Sequence, residues 1–184
     1  TEQSQATPPL TRYADGADRA GTIGGATRGN AGNDAIGGVV LAIGELGVNY
    51  DFGERAGSLA GAVYVDANDD GVRQPGEPGI AGVTITLSGT TADGVNVCTL
   101  LPSCTVTTGA DGSWSFANLP AGTYAVTQTQ PAAYADGRDT AGTVNGTTSG
   151  TPGGAGTSTI TGIALPPGGT GVGYLFGERV SSIA

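Results

Sequence analysis

The chain has 184 residues and a formal net charge of −9, with 16 acidic residues against 7 basic ones. An acidic chain repels nucleic-acid phosphates and anionic headgroups, so we expect no nucleic-acid partner. Histidine is absent, which excludes Ser–His and Cys–His nucleophilic catalysis, and we expect no enzyme. No apolar run approaches the roughly 18 residues that span a membrane, and we expect no membrane insertion in this segment.

Two sequence motifs occur twice and define an internal repeat. Tyr-Ala-Asp-Gly-Ala-Asp at 13–18 returns as Tyr-Ala-Asp-Gly-Arg-Asp at 134–139, and Phe-Gly-Glu-Arg at 52–55 returns at 176–179. The second pair is separated by 124 positions, which is the expected repeat length. We therefore predict three parts: residues 1–55 as the C-terminal half of one repeat domain, 56–179 as a complete repeat, and 180–184 as the first strand of a following repeat.

The complete repeat is rich in short alternating segments typical of β-strands. Asp-Gly and Pro-Ala-Gly turn signals separate them, and no segment predicts a helix. About seven short antiparallel strands in 124 residues indicate an all-β, immunoglobulin-like antiparallel β-sandwich, repeated in tandem. We predict the Gly/Thr-rich residues 142–156 to be an exposed loop. The predicted strands are 59–65, 82–87, 104–107, 113–116, 123–128, 158–165 and 170–176.

A twelve-residue segment, 66–77, fits the calcium-loop pattern D-x-N-x-D-G-x5-E. Calcium takes six to eight oxygen ligands, and the pattern places side-chain or carbonyl oxygens at positions 1, 3, 5, 7, 9 and 12, with a glycine for the sharp turn at position 6. The flanks predict a strand and prolines, not the usual helices. The alternative is an acidic turn that holds no ion. The predicted ligands are Asp66, Asn68, Asp70, Val72 through its carbonyl, Gln74 and Glu77.

The two cysteines, Cys98 and Cys104, lie close together in a polar stretch. Their spacing is neither a zinc nor a thioredoxin-type spacing, and no histidine could complete a zinc site. A local disulfide is the simplest interpretation, with two free thiols as the alternative. A disulfide indicates an oxidising compartment.

The repeated Asp-Gly motif supplies a second group of acidic residues, for which two interpretations remain open. The pairs could bind a second cation, or each could form an Asp-Gly turn whose side chains accept hydrogen bonds from nearby backbone amides. The residues concerned are Asp136 and Asp139 and their counterparts Asp15 and Asp18.

Beyond these patterns, the chain resembles a known family, the B-repeat domain of serine-aspartate repeat surface adhesins (SdrD B-like). This is a calcium-binding branch of the collagen-adhesin B-type (CnaB) fold. The resemblance rests on the calcium loop, on Gly-Glu-Pro-Gly-Ile-Ala-Gly-Val at 76–83, and on Asp-Gly-Ser-Trp-Ser-Phe at 111–116. It implies a sandwich whose tandem copies act as stiff, calcium-dependent spacers. The implied ligands are Asp66, Asn68, Asp70, Val72 and Glu77. A Lys–Asn crosslink, common in related domains, is impossible here because the chain has no lysine.

Taken together, these features predict a structural tandem-repeat module of an extracellular or cell-surface protein, a stalk or a secreted filament, with Ca²⁺ as its cofactor. The alternative is an adhesive module that binds a partner, not identified by the sequence, through exposed loops such as 142–156. The expected partners are neighbouring repeats of the same array, or chains of the same type joined head to tail in a fibre.

Overall fold

The computed structural model describes residues 10–154 and 156–180, and nearly all of their regular structure is β-strand. Two single-turn 3-10 helices, Leu10–Arg12 and Val97–Thr99, are the exceptions within these ranges. None of the helices found there is long and apolar enough to cross a membrane. The prediction of an all-β fold is confirmed.

The strands fall into two groups along the chain, short ones before residue 56 and longer ones after it. The first group is β1 (Ala14–Asp15), β2 (Thr22–Ile23), β3 (Ala26–Thr27), β4 (Asn30–Gly32), β5 (Ala35–Gly37), β6 (Gly47–Val48) and β7 (Glu54–Arg55). The second group is β8 (Gly57–Val65), β9 (Thr84–Thr91), β10 (Thr105–Thr107), β11 (Ser113–Leu119), β12 (Gly122–Gln128), β13 (Tyr134–Thr140), β14 (Thr143–Val144), β15 (Thr147–Thr148), β16 (Thr151–Pro152), β17 (Thr159–Leu165) and β18 (Thr170–Val180).

The second group forms two facing sheets. One has the order β10-β9-β12-β17-β16, and the other has the order β11-β8-β18-β14-β15, with β13 also paired to β18. All these pairs are antiparallel except β8 with β18, which run parallel from the Ser58–Thr170 pair to the Val65–Glu178 pair. Because β8 and β18 come from opposite ends of the repeat, this pairing joins its first and second halves.

The core lies between the two sheets, and in β9 and β12 the buried residues alternate along the strand. On the first sheet, Ile85 and Leu87 of β9 point inward beside Val126 of β12. On the second sheet, Trp114 packs edge-on against Phe116, with ring centroids 6.0 Å apart. Trp114 is 4% exposed, so it is a core residue. Burial of these apolar faces is the main force that holds the sheets together.

A register shift in β17 keeps two apolar residues in the core, although strict alternation would point them to opposite faces of the sheet. Gly162 adopts a positive φ of 67°, a conformation that glycine reaches without steric cost. The pairing of β12 with β17 shifts at this point, between Tyr124 and Val126. As a result Ile160 and Ile163, three positions apart, are both fully buried.

Most predicted strands are present with slightly different ends. The Tyr-Ala-Asp-Gly-Arg-Asp motif, for which a turn was one of two open interpretations, lies in strand β13, residues 134–140, along the edge of β18. Residues 142–156 are not simply an exposed loop, because they contain β14, β15 and β16, and Val144 is buried. Short polar strands at a sheet edge have little hydrophobic periodicity, so their sequence does not distinguish them from loops.

Strands β1–β7 pair among themselves in the same way as the corresponding strands of the complete repeat. Ala14 pairs with Arg55 as Ala135 pairs with Arg179. The β2–β6 pair matches the β14–β18 pair in the same manner. At the other end, Val180 closes β18 opposite Tyr134. The remainder of the strand expected at 180–184 lies outside the described residues.

The predicted disulfide between Cys98 and Cys104 is confirmed, with the two Cα atoms 5.5 Å apart. Cys98 lies in the second 3-10 helix, whose N-cap Asn96 accepts a hydrogen bond from the Cys98 backbone N–H. The backbone carbonyl of Cys104 accepts from the Leu87 N–H at 2.8 Å, next to β10. The crosslink therefore ties a surface turn to the edge of the first sheet.

Candidate functional site

The segment predicted to bind calcium begins where β8 ends, at Asp66. The Asp66 side chain is fully buried, and its backbone N–H donates to the carbonyl of Glu178 in β18 at 2.8 Å. Its carboxylate accepts from the N–H of Asp70 at 3.2 Å and from that of Gly71 at 2.8 Å. A positive φ of 78° at Gly71 turns the chain back over Asp66. The pattern D-x-N-x-D-G thus folds around its first aspartate.

Asp70 collects the amide groups of the loop around its own carboxylate. It accepts from the Val72 N–H at 2.8 Å, from the Asn68 amide at 2.9 Å and from the Gln74 amide at 2.6 Å. These hydrogen bonds, the Val72 N–H first among them, hold the pKa of Asp70 below its usual value. Asp70 is therefore hydrogen-bonded to four of the other five predicted ligand residues, the fourth being Asp66, which accepts from the Asp70 N–H.

Glu77 closes the loop from its far end. Its two carboxylate oxygens accept from the N–H of Ala67 at 3.0 Å and from the N–H of Gln74 at 2.9 Å. The residue at position 12 thus reaches back to position 2, which makes the segment a ring. All six predicted residues lie in this ring, with Asp66 buried at its base and the Val72 side chain exposed at its rim.

The oxygen-bearing side chains of the ring match the hard oxygen donors that calcium prefers. Asp66 is a buried carboxylate that, within the described ranges, lies in no ion pair with an arginine, and a bound cation would compensate its charge. In the same ranges, however, no three acidic or sulfur-bearing side chains gather at metal-binding separation. The carboxylates are instead satisfied by loop N–H groups. Calcium binding by Asp70 would require its carboxylate to exchange the hydrogen bonds from the Asn68 and Gln74 amides for the ion.

The base of the ring is attached to the second half of the repeat by a contact that sequence reasoning missed. The Thr140 hydroxyl in β13 donates to the carbonyl of Gly71 at 2.6 Å. Together with the bond between Asp66 and Glu178, it connects the ring to both β13 and β18. A threonine in a polar strand carries no sequence signal for such a contact, because it depends on how the strands meet in space.

The second acidic group, around Asp136 and Asp139, is distinct from the ring. Asp136 accepts from the Ser158 hydroxyl at 3.0 Å and from the Gly156 N–H at 2.6 Å. Asp139 has one buried carboxylate oxygen without a hydrogen-bond partner. Burial, followed by the negative charges of Asp136 and Glu178, raises the pKa of Asp139 to about 7. The two aspartates therefore share a strand and an acidic environment.

Beside them lies a buried polar cluster that the sequence analysis did not identify. Glu178 is 1% exposed and accepts hydrogen bonds from the side-chain amides of Gln128 and Gln130. Burial raises the pKa of Glu178 above its usual value. One sequence signal was available: strand alternation places Gln128 on the same face as Tyr124 and Val126, which marks a polar residue in the core.

In the N-terminal segment, Asp15 and Asp18 occupy equivalent places on β1 and just after it. The Asp15 carbonyl accepts from the Arg55 guanidinium at 2.9 Å, as the Asp136 carbonyl accepts from Arg179 at 2.9 Å. Asp18 accepts from the Gly53 N–H at 3.4 Å. The hydrogen bond from arginine to the aspartate carbonyl thus occurs in both copies. It gives the repeated Phe-Gly-Glu-Arg motif a structural role, because its arginine holds the neighbouring strand.

The chain is similar in sequence to a known domain family and to several known proteins. A family model described as the SdrD B-like domain matches residues 57–168. The serine-aspartate repeat-containing protein D of Staphylococcus aureus (strain Newman) is 36% identical over 77 residues, which are 42% of this chain and 5% of that protein. Colossin-B of Dictyostelium discoideum is 34% identical over 73 residues, covering 40% of this chain and 2% of its own length.

Among solved structures, the pilus adhesin (RrgA) from Streptococcus pneumoniae aligns with 76% of this chain and 17% of its own. The TM-score is 0.42 and the sequence identity is 14%, so no conclusion is drawn from this alignment. This chain therefore spans only a small part of each of these relatives.

Proposed function

Because this chain belongs to the SdrD B-like domain family, we propose that it is a structural tandem-repeat module of an extracellular or cell-surface protein, stiffened by calcium. In this proposal residues 66–77 hold the ion and the module is a spacer in a stalk or filament. Its partners are neighbouring repeats, and its net charge of −9 disfavours nucleic acid. With no histidine in the chain, the module carries out no nucleophilic catalysis of the Ser–His or Cys–His kind.

The observation that carries the proposal is the ring closed by Glu77 around Asp66 and Asp70. The three carboxylates bring three negative charges into one ring, and a bound cation would compensate them. Because Asp66 and Gly71 are attached to β18 and β13, an ordered ring would also hold the two halves of the repeat together.

Thermal unfolding with calcium and with a chelator tests the proposal. Ligand bound only to the folded state adds about 2.7 kcal/mol at a hundredfold excess over Kd, so calcium should raise the midpoint. Asp70→Asn should abolish most of that increase. The matched control is Asp69→Asn, which changes the adjacent residue of the same loop. Asp69 is not a predicted ligand and lies 3.7 Å from Arg179, with both side chains about half exposed.

Two results would contradict the calcium proposal. One is a midpoint that does not change with calcium in the unmodified chain. The other is an equal loss of the calcium effect in Asp69→Asn and Asp70→Asn, which would indicate a general charge effect and not ligation by Asp70.

The second candidate function is adhesion through the segment 142–156. Its end lines an open cavity of about 480 Å³ together with Asp136, Arg138 and Arg179. This cavity presents both acidic and basic side chains to solvent, as a polar ligand site would. Shuffling residues 145–154 distinguishes the two functions: a spacer keeps its calcium-dependent stability, whereas an adhesive module loses affinity for its ligand.

A further inference from the structure

The N-terminal segment exposes an apolar groove of about 430 Å³. Val39 is 37% exposed and Leu41 is 54% exposed, although both are large aliphatic residues. Contiguous apolar patches that are exposed to solvent often mark surfaces that bind another molecule. The groove is lined by Ile36, Val39, Leu41, Leu46, Tyr50 and Phe52.

The complete repeat shows what covers the corresponding face. Positions 124 residues later than Val39 and Leu41 are Ile163 and Leu165, which are only 0% and 3% exposed. The backbone is also equivalent, because Gly38 has a φ of 65° where Gly162 has 67°. In the complete repeat, Ile163 and Leu165 belong to one core cluster with residues of β8 and β11 from the facing sheet. Within the described residues, the N-terminal segment has the same apolar face without these strands.

A sheet edge in the N-terminal segment leads to the same conclusion independently. β6 pairs on one side, with β2. Within the described residues, no strand pairs with its other side. In the complete repeat, that side of β18 pairs in parallel with β8. An unpaired edge beside an apolar face is a template for strand addition.

We propose that residues 13–55 bind the first half of a repeat of the same kind, a segment with the sequence pattern of residues 57–126. Its first strand adds in parallel to β6, and its aromatic and aliphatic residues cover the groove. The inference rests on the proposed function as a tandem-repeat module. It adds the class of partner, which is the first half of a repeat of the same kind. Its contacts would repeat, in the N-terminal segment, the parallel pairing that joins β8 to β18 in the complete repeat.

An extended chain tests this directly. A copy of residues 57–126 is joined ahead of Thr1 of the full 184-residue chain, and hydrogen exchange is measured at the amides of residues 46–54. We expect the copy to slow exchange by at least tenfold in a monomer at those amides of this stretch that are not yet hydrogen-bonded, because they enter a sheet. The Asp51 N–H already donates to the Arg19 carbonyl at 3.1 Å. Dye binding to exposed apolar surface should fall in parallel.

Leu41→Asp provides the matched control in both chains. In the unextended chain it should leave the unfolding midpoint unchanged, since Leu41 is exposed there. In the extended chain it should remove the protection of residues 46–54, since Leu41 would be buried.

Unchanged exchange in the extended chain would overturn the proposal. So would concentration-dependent dimerisation of the unextended chain that Leu41→Asp abolishes, because the occupant would then be a second copy of the same face. The readout is confined to residues 46–54, whereas the calcium test reports on the ring at 66–77, so failure of one is distinguishable from failure of the other.

Discussion

Arg12 and Asp93 form a two-bond ion pair, at 2.8 and 2.6 Å, between the N-terminal segment and the turn that follows β9. The adjacent backbone carbonyl of Arg12 accepts from the Ala121 N–H at 2.6 Å. The guanidinium, followed by the Thr91 hydroxyl, holds the pKa of Asp93 well below its usual value. These contacts join the 3-10 helix Leu10–Arg12 to the first sheet of the complete repeat.

The first prediction concerns this junction. Arg12→Ala should speed hydrogen exchange of the Ala121 amide, because the neighbouring ion pair no longer holds the Arg12 carbonyl in place. The unfolding midpoint should change little, because the pair lies at the surface, with 13% and 21% of the two side chains exposed, and surface ion pairs contribute little to global stability. Arg28→Ala, which removes an exposed arginine elsewhere in the segment, is the control and should leave that amide unaffected. Equal exchange in both variants would show that the ion pair does not position the junction.

The second prediction concerns the contact between Thr140 and Gly71. Thr140→Val removes the hydroxyl but keeps the shape, and it should lower the free energy of unfolding by about 1 kcal/mol. Thr140→Ser should retain most of the stability, because it keeps the donor. Thr161→Val is the matched control, since the Thr161 hydroxyl is exposed and its bond to Thr151 is 3.5 Å long. Denaturant titration measures all three, and a loss in Thr161→Val as large as in Thr140→Val would refute the assignment.

The third prediction is a pH dependence that arises at Asp139. Its folded-state pKa of about 7 exceeds the unfolded value near 4, so between these values the folded state binds more protons than the unfolded state. Stability should therefore fall as pH rises through that window. Asp139→Asn should flatten the fall, leaving the part that comes from buried Glu178, whose pKa is also raised.

Asp111→Asn serves as the control for this pH dependence. Hydrogen bonds from Ser113 lower the pKa of Asp111, so its contribution is lost only as pH falls below the unfolded value. Unfolding free energies between pH 4.5 and 7.5 should keep their slope in this variant. A slope that is identical in Asp139→Asn and the unmodified chain would contradict the prediction.

The fourth prediction concerns the disulfide. Replacing Cys98 and Cys104 together by serine should lower the free energy of unfolding by about 2 kcal/mol, the chain-entropy value for so short a loop. The fold should persist, because the core between the sheets lies outside the crosslinked loop. Denaturant titration of the double variant, and of the reduced unmodified chain as its control, measures the effect. Complete unfolding at room temperature would show that the loop is essential to the core.

Several properties of this protein followed from its sequence alone. The calcium-loop pattern at 66–77 predicted a sharp turn at Gly71, because glycine reaches the positive φ that this turn needs. Alternation predicted the buried faces of β9 and β12, because side chains of a strand point alternately to its two sides. The pair Cys98 and Cys104 was predictable because the two residues are neighbours along the chain.

Other properties were decided only by the tertiary structure. The strand formed by residues 134–140 has a polar sequence and owes its conformation to the edge of β18, which lies far away in the chain. The contact of Thr140 with Gly71 and the burial of Glu178 likewise depend on where distant strands meet. Whether an apolar residue is covered also depends on its partner strands: Leu165 is buried and its counterpart Leu41 is exposed, although both occupy the same position in the repeat. Local sequence specifies the direction of a side chain, and only the assembled sheets decide what it meets.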